Sequence, residues 1–274
     1  MIIGNHEFDT KNHTYCMGIL NVTPDSFSDG GHFNNMDNAL KHVEQMISEG
    51  AHIIDIGGES TRPGYTLISD EEEIDRTAPI IEAVKKKFDI PVSLDTYKSK
   101  VALAGISAGA DLINDVWGLK YDPDMTRVIS NKKVVCCLMH NKNADSYVNL
   151  LNDVTKEMEE SVHIALESGI SPDKIILDPG VGFAKDRVEN LSVIANIKKF
   201  DDLGYPLLLG CSRKSVIGLT LDLPVDQRLE GTLVTTVYAV MNNVAFVRVH
   251  DVLSNVRAIK MAEAIRMENV YGSN

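Results

Sequence analysis

The sequence predicts an α/β fold, a single (β/α)₈ (TIM) barrel spanning residues 1–274, with its active site at the C-terminal ends of the strands. Three observations lead there. Short apolar, β-branched runs alternate with amphipathic stretches eight times from end to end. The runs are continuously apolar, as in parallel strands buried on both faces. The length, 274 residues, matches the roughly 250 that such barrels use as one domain. An open doubly wound sheet is the alternative, and the first strand lacks the G-x-G-x-x-G that would favour it.

The first strand is expected at 15–20, and the helix after it carries a stripe of Leu40, Val43, Met46 and Ile47 before Gly50 stops it. The second strand, 53–56, leads to a helix opened by a Ser69/Glu72 capping box. Its stripe is Ile74, Ala78, Ile81, Val84 and Phe88, and Pro79 inside it predicts a kink. Strands at 92–94 and 112–113 come next, with Gly109 as the intervening helix stop. The fifth strand, 134–139, precedes the stripe Val154, Met158, Val162 and Leu166, which ends at Gly169. Strands at 175–177, 207–209 and 245–249 complete the set, and Val252, Val256 and Ile259 mark the last helix. No Gly/Ser-rich linker or low-complexity segment interrupts the series.

Composition is that of an ordinary globular protein, 44% hydrophobic and 24% charged. A net charge of -12 argues against nucleic-acid or anionic-membrane partners. It leaves room for an anionic substrate if positive charge is concentrated locally. Cys16, Cys136, Cys137 and Cys211 sit in or beside apolar runs without zinc-ligand spacing, which fits buried thiols in a reducing compartment. The N-terminal residues do not read as a signal peptide, and no apolar run approaches the roughly 18 residues of a membrane span. A cytoplasmic protein is expected.

The residues at the end of each strand are the informative feature. Strand one ends at Asn21, strand two runs through Asp55 to Glu59, and strand three ends at Asp95. Asn114 and Asp115 come after the fourth, His140 after the fifth, and Asp178 after the sixth. Ser212, Arg213 and Lys214 lie beyond the seventh, and Arg248 and His250 lie on or just past the eighth. Any one of these could cap a helix. Polar residues at eight strand ends, converging on one barrel face, describe a site.

Two chemical characters share that face. Asp95, Asn114, Asp178 and Lys214 suit a flat heterocycle with an amino–imino edge and a carbonyl. Arg62, Arg213, Arg248 and His250 suit a phosphate or diphosphate, although Arg213 could equally be structurally paired. Arg248 and His250 alternate with Val247 and Val249, so both should point to one face. The loops at 21–31 and 57–65 are long for βα connections, and Phe27 reads as a loop anchor or as part of a lid.

Gly18-Ile-Leu-Asn-Val-Thr-Pro-Asp-Ser-Phe-Ser-Asp-Gly-Gly31 and Ile54-Asp-Ile-Gly-Gly-Glu-Ser-Thr-Arg-Pro-Gly64 resemble the two long signatures of the dihydropteroate synthase family. Ser93-Leu-Asp-Thr96, Ile113-Asn-Asp115, Leu138-Met-His140, Asp178-Pro-Gly180, Ser212-Arg-Lys-Ser215 and Arg248-Val-His250 continue the likeness in order. The resemblance implies a transferase of folate biosynthesis that joins 6-hydroxymethyl-7,8-dihydropterin diphosphate to p-aminobenzoate, releasing diphosphate. It implies a pterin against Asp95, Asn114, Met139, Asp178 and Lys214, with Asp95, Asp178 and Lys214 catalytic. It puts the diphosphate at Thr61, Arg62, Arg248 and His250, with Mg²⁺ held partly by Asn21. p-Aminobenzoate falls to Pro63, Phe183, Lys214 and Ser215, with Asp25 and Phe27 in the lid, and the assembly is a homodimer. The implied order is dissociative: Asp95 and Asp178 stabilise positive charge on the pterin as diphosphate leaves, and the arylamine then attacks. Cys211 and Asn141-Lys142 depart from common family sequences. No inserted residues in the 60–64 or 178–183 segments mark a sulfonamide-insensitive relative.

Two rivals share parts of the pattern. A pterin-dependent methyltransferase barrel would not need the Arg62, Arg248 and His250 cluster. A catalytically silent pterin sensor would be expected to lose Asn21, Lys214 or a loop motif, and all are present.

Overall fold

Eight parallel strands form the wall of the barrel in a computed structural model that describes residues 1–22, 32–59, 67–143 and 146–271. An antiparallel hairpin, β1 (Ile2–Ile3) and β2 (His6–Glu7), comes first. The barrel strands are β3 (Tyr15–Asn21), β4 (Ile53–Gly57), β5 (Val92–Asp95), β6 (Leu112–Asp115), β7 (Val135–Met139), β8 (Ile175–Asp178), β9 (Leu208–Leu209) and β10 (Phe246–Val249). Between and after them run α1 (His32–Ser48), α2 (Asp70–Lys87), α3 (Ser99–Ala108), α4 (Asp124–Lys132), α5 (Leu150–Glu167), α6 (Arg187–Ala195), α7 (Ser215–Leu221), α8 (Leu229–Met241) and α9 (Val252–Tyr271). Each strand pairs with its sequence neighbour, and β10 returns beside β3. A bridge from Leu177 to Leu207 closes the ring between β8 and β9.

Strand alternation sorts the side chains into two cores. Outward-facing Cys16, Leu20, Ile54, Ile56, Leu94 and Leu138 pack under the helices with Val43, Ile81 and Val154. Inward-facing Met17, Ile53, Leu112, Val135, Cys137, Ile176, Leu208 and Phe246 fill the lower barrel. Ile3 and Phe8, at the two ends of the hairpin, plug that lower end, with Phe8 edge-on to Tyr15 at 4.8 Å. Apolar side chains thus fill the lower interior. The polar side chains of the strand tops occupy the other end.

Local differences from the sequence expectations have plain causes. The buried face of α2 is Glu73, Thr77, Ile80, Ile81 and Val84, rotated from the purely apolar stripe because Glu73 turns inward to an ion pair. Pro79 lies within α2, which continues past it. Ser69 does cap α2 by accepting from the Glu72 amide, but the Glu72 carboxylate pairs with Arg76, so the cap bond is one-sided. A reciprocal capping box occurs at α6, between Asp186 and Glu189. Gly50, Gly109 and Gly169 end their helices with φ of 98°, 115° and 82°, a region costly for other residues. No described helix is long and apolar enough to cross a membrane.

Candidate active site at the barrel mouth

Above the apolar plug, the next inward positions are Asp55 on β4, Ser93 and Asp95 on β5, Asn114 on β6, Asp178 on β8 and Arg248 on β10. All but Arg248 are buried, and its side chain is 20% exposed. Arg248 donates from Nε to Asp55 Oδ2 at 2.6 Å and from Nη2 to Asp95 Oδ2 at 2.7 Å. Ser93 Oγ donates to the other Asp55 oxygen at 2.5 Å. Two buried carboxylates thus share one guanidinium, an arrangement that satisfies charges withdrawn from water. Burial pushes the Asp95 carboxyl up to about 7, against the pull of Arg248 and with Asp55 adding to the rise. Asp95 Oδ1 is buried and lacks a hydrogen-bond partner among the described residues. Such an acceptor is costly unless a ligand supplies the donor.

Two inward glycines keep space beside these groups. A methyl on Gly57 would lie 3.8 Å from both Asn21 Oδ1 and Asp95 Oδ2. One on Gly210 would lie 3.7 Å from Lys214 Nζ, 3.8 Å from Asp178 Oδ2 and 3.9 Å from Arg248 Cβ. Gly210 therefore faces Lys214, Asp178 and Arg248 at ordinary contact distance without a side chain between them. Met139, Tyr97 and Val116 form an apolar wall, extended by Trp117 and Phe183.

The turn after β8 shapes one side. Gly180 N donates to Asp178 Oδ1 at 2.7 Å, leaving Oδ2 toward Lys214. Lys214 Nζ donates to the Val181 carbonyl at 2.5 Å and stands 4.7 Å over the Phe183 ring. Burial raises the Asp178 carboxyl and lowers the Lys214 ammonium, and each offsets part of the other's shift. Gly180 has φ of 70°, and a side chain there would collide with the His140 carbonyl, 1.9 Å from the Cβ position.

Beyond this floor, His250 Nδ1 lies 3.0 Å from Ser212 Oγ, just past β10. Asn21 is half-buried at the top of β3, and Ser215 is exposed at the first turn of α7. Arg213 is not in the anionic cluster. It donates to Asp251 at 2.9 Å from Nε and again from Nη2, so the structurally paired alternative describes it. Asp115 points outward, where its carboxylate accepts from the Trp117 and Leu119 amides and shapes the turn after β6. His140 also serves structure, with its ring between Glu157 and Lys185. Asp25, Phe27, Thr61, Arg62 and Pro63 lie outside the described residues.

Residues 58–59 and 68 are tied to α2 and to Tyr97 and Lys98. Lys98 Nζ bridges Glu59 Oε2 at 2.7 Å, Glu73 Oε2 at 2.8 Å and the Ile68 carbonyl at 2.9 Å. Glu59 accepts from the Ile68 amide at 2.9 Å and from the Tyr97 hydroxyl at 2.5 Å. Arg76 holds the Gly58 carbonyl at 2.8 Å. Sequence reasoning missed Lys98, Glu73 and Lys185. Ser93, inward on β5 two positions before Asp95, was accessible from the same alternation that placed Arg248.

Among the described residues no group of three or more His, Cys, Asp or Glu side chains is placed to hold a metal ion. The Asn21 amide oxygen, beside the gap over Gly57, is a hard donor of the kind Mg²⁺ accepts. A site of that kind would draw its remaining ligands from substrate oxygens and water.

Comparison with known proteins adds an independent line. The model of a family described as pterin binding enzymes matches residues 17–250. A dihydropteroate synthase of Clostridium beijerinckii is 56% identical over 266 residues, covering 97% of this chain and 99% of that one. A crystal structure of dihydropteroate synthase from Clostridium difficile, in the presence of pteroic acid, superposes with a TM-score of 0.92 at 47% identity, covering 94% of this chain and 99% of that one. The Xanthomonas albilineans dihydropteroate synthase with 4-aminobenzoic acid gives a TM-score of 0.89 at 37% identity, over 93% and 94% of the two chains.

Proposed function

This chain belongs to the dihydropteroate synthase family of pterin-binding enzymes, and we propose that its barrel mouth divides into a pterin pocket, a diphosphate rim and an arylamine ledge. The reaction condenses 6-hydroxymethyl-7,8-dihydropterin diphosphate with p-aminobenzoate to give 7,8-dihydropteroate and diphosphate. One observation carries the assignment of the pocket: the cleft kept open by Gly210 is edged by Asp178, Lys214 and Arg248, and Asp95 Oδ1 is a buried acceptor. A pterin edge offers ring and amino N–H groups to carboxylates and a carbonyl to Lys or Asn donors. Asp95, Asn114, Asp178 and Lys214 are the complementary set, with Met139 and Val116 against the ring face.

The chemistry requires the C–O bond to diphosphate to break at the pterin methylene. Negative charge then grows on the leaving group while positive charge spreads into the ring. Carboxylates at Asp95 and Asp178 stabilise the ring charge in a water-poor floor, where fixed charges act strongly. Arg248 and His250, with Thr61 and Arg62, take the diphosphate. Asn21 would supply an oxygen ligand to Mg²⁺, which when bound neutralises leaving-group charge. p-Aminobenzoate rests near Phe183, Ser215, Lys214 and Pro63, under Asp25 and Phe27. Its nitrogen forms the new N–C bond and loses one proton.

We further propose that the protein works as one domain, in the cytoplasm, and as a homodimer. Its four buried, unpaired cysteines suit a reducing compartment. Exposed Val188 on α6, Leu219 on α7 and Val234 on α8 offer apolar surface on consecutive helices to a second copy.

The test is titration of the pterin substrate into wild type and into Asp178→Asn. Asparagine keeps an acceptor for Gly180 N but removes the charge, so affinity and turnover should each fall about 100-fold or more. Near-normal affinity and kinetics in the variant would refute the pocket assignment.

A further inference from the structure

Lys185 touches none of the groups assigned to substrate by side chain, yet it organises two of them. An ammonium has three N–H donors. Three acceptors surround this one: the Gly180 carbonyl at 3.1 Å, the Phe183 carbonyl at 3.1 Å and His140 Nδ1 at 2.9 Å. For Nδ1 to accept, the imidazole must carry its proton on Nε2, which faces Glu157 Oε2 at 2.8 Å. Burial, then the neighbouring Lys185, push the His140 imidazole down to about 2, which keeps the ring neutral. A chain of fixed contacts therefore runs from Glu157 on α5 through His140 and Lys185 to the turn after β8.

That turn is where the site is assembled. Its Gly180 amide binds the Asp178 carboxylate, and its Val181 carbonyl receives Lys214 Nζ. Both bonds depend on the direction of peptide groups that flank the two carbonyls gripped by Lys185. A second support holds the outer part of the same loop. Asn190 accepts from Gly182 N at 2.6 Å and donates to the Lys185 and Asp186 carbonyls at 2.9 and 2.7 Å. Loss of the Lys185 side chain should thus release the aim of the turn without unravelling the loop.

We propose that Lys185 is a positioning residue for the pterin pocket: its ammonium holds the 180–183 turn in the shape in which Asp178 and Lys214 face one cleft. The inference rests on the assignment of Asp178 and Lys214 to the pterin. The charged groups facing the ammonium are Asp178 from β8, Glu157 from α5, Glu189 from α6 and Lys214 ahead of α7, with neutral His140 just after β7. Lys142, from the segment after β7, joins the same cluster through Glu157. Burial pushes Lys185 down to about 7, Asp178 opposing and Lys214 adding to the fall. A neutral amine has only two N–H donors, so one of the three contacts is lost as pH rises through that value.

The test compares wild type with Lys185→Gln and Lys185→Arg, using the pterin diphosphate as varied substrate across pH, with folding checked by circular dichroism. A folded Lys185→Gln should lose about 10- to 100-fold in kcat/KM for the pterin substrate. In Lys185→Arg, whose guanidinium keeps its charge, the fall of wild-type kcat/KM above neutral pH should move to higher pH. A folded Lys185→Gln within about threefold of wild type overturns the proposal. So does an alkaline fall unmoved in Lys185→Arg, even with a lowered melting temperature, since a mere structural prop would behave that way. If Lys185→Gln does not fold, the Arg profile decides alone. Normal pterin binding by Asp178→Asn would instead remove the pocket assignment itself, which separates the two failures.

Discussion

Replacing Arg248 by methionine removes the guanidinium that bridges two buried carboxylates of the barrel floor. The guanidinium spans Asp55 and Asp95 at 2.6 and 2.7 Å, and those residues are 0% and 8% exposed. Methionine keeps an unbranched apolar stem but leaves two buried carboxylates together without the guanidinium that both accept from. Removing one partner of a buried ion pair costs about 3–5 kcal/mol, two to four powers of ten in the folding constant. pH gives the loss a signature. Burial already holds Asp95 at about 7 with Arg248 pulling it down, so loss of the guanidinium moves that carboxyl higher still. The folded variant then retains protons that the unfolded chain, with carboxyls near about 4, has released. Its stability must fall as pH rises through that window. The deficit relative to wild type should be smallest near about pH 5 and largest near about pH 8. Urea unfolding followed by circular dichroism across this range measures it. A deficit below about 1 kcal/mol, or one independent of pH, would refute the account of the floor.

The same geometry sets three further outcomes. Gly210→Ala places a methyl at 3.7–3.9 Å from its neighbours, so melting should stay near wild type while the pterin KM rises about tenfold or more. A lowered melting temperature with unchanged KM would mean that the gap is packing space. Chelation of Mg²⁺, or Asn21→Ala, should abolish or greatly slow diphosphate release while affinity for the unphosphorylated pterin, measured by calorimetry, stays within about twofold. Equal loss of pterin binding would move the metal role away from the leaving group. Because Asp95 titrates at about 7, kcat/KM for the pterin substrate should decline as pH drops through that value, its carboxylate being the active form. A flat profile from about pH 5 to about pH 8 would exclude that role for Asp95.

Much of this arrangement was legible because two periodicities are strict. Continuous apolar runs located the eight barrel strands, and alternation along β10 put Arg248 on the inward face. The same alternation, applied to Asn114 and Asp115, separates the inward amide from the outward carboxylate that shapes the next turn. Other features depend on tertiary partners that no local pattern encodes. The hairpin strands are two residues each, too short to show a period, although Ile3 and Phe8 plug the barrel. Glu73 breaks the apolar stripe of α2 because Lys98 meets it from the loop before α3. Arg213 read as a candidate anion ligand until Asp251, 38 positions away, proved to hold it. Lys185 lay beyond the glycine-rich turn, and its importance depends on His140, 45 positions earlier.

The central claim is catalytic, and diphosphate release from the purified protein tests it most directly. The assay supplies 6-hydroxymethyl-7,8-dihydropterin diphosphate and Mg²⁺, with p-aminobenzoate present or omitted, and tracks dihydropteroate in parallel. The account predicts one dihydropteroate per diphosphate released when the arylamine is present. Tight pterin binding without turnover, or release that never yields dihydropteroate, would contradict it.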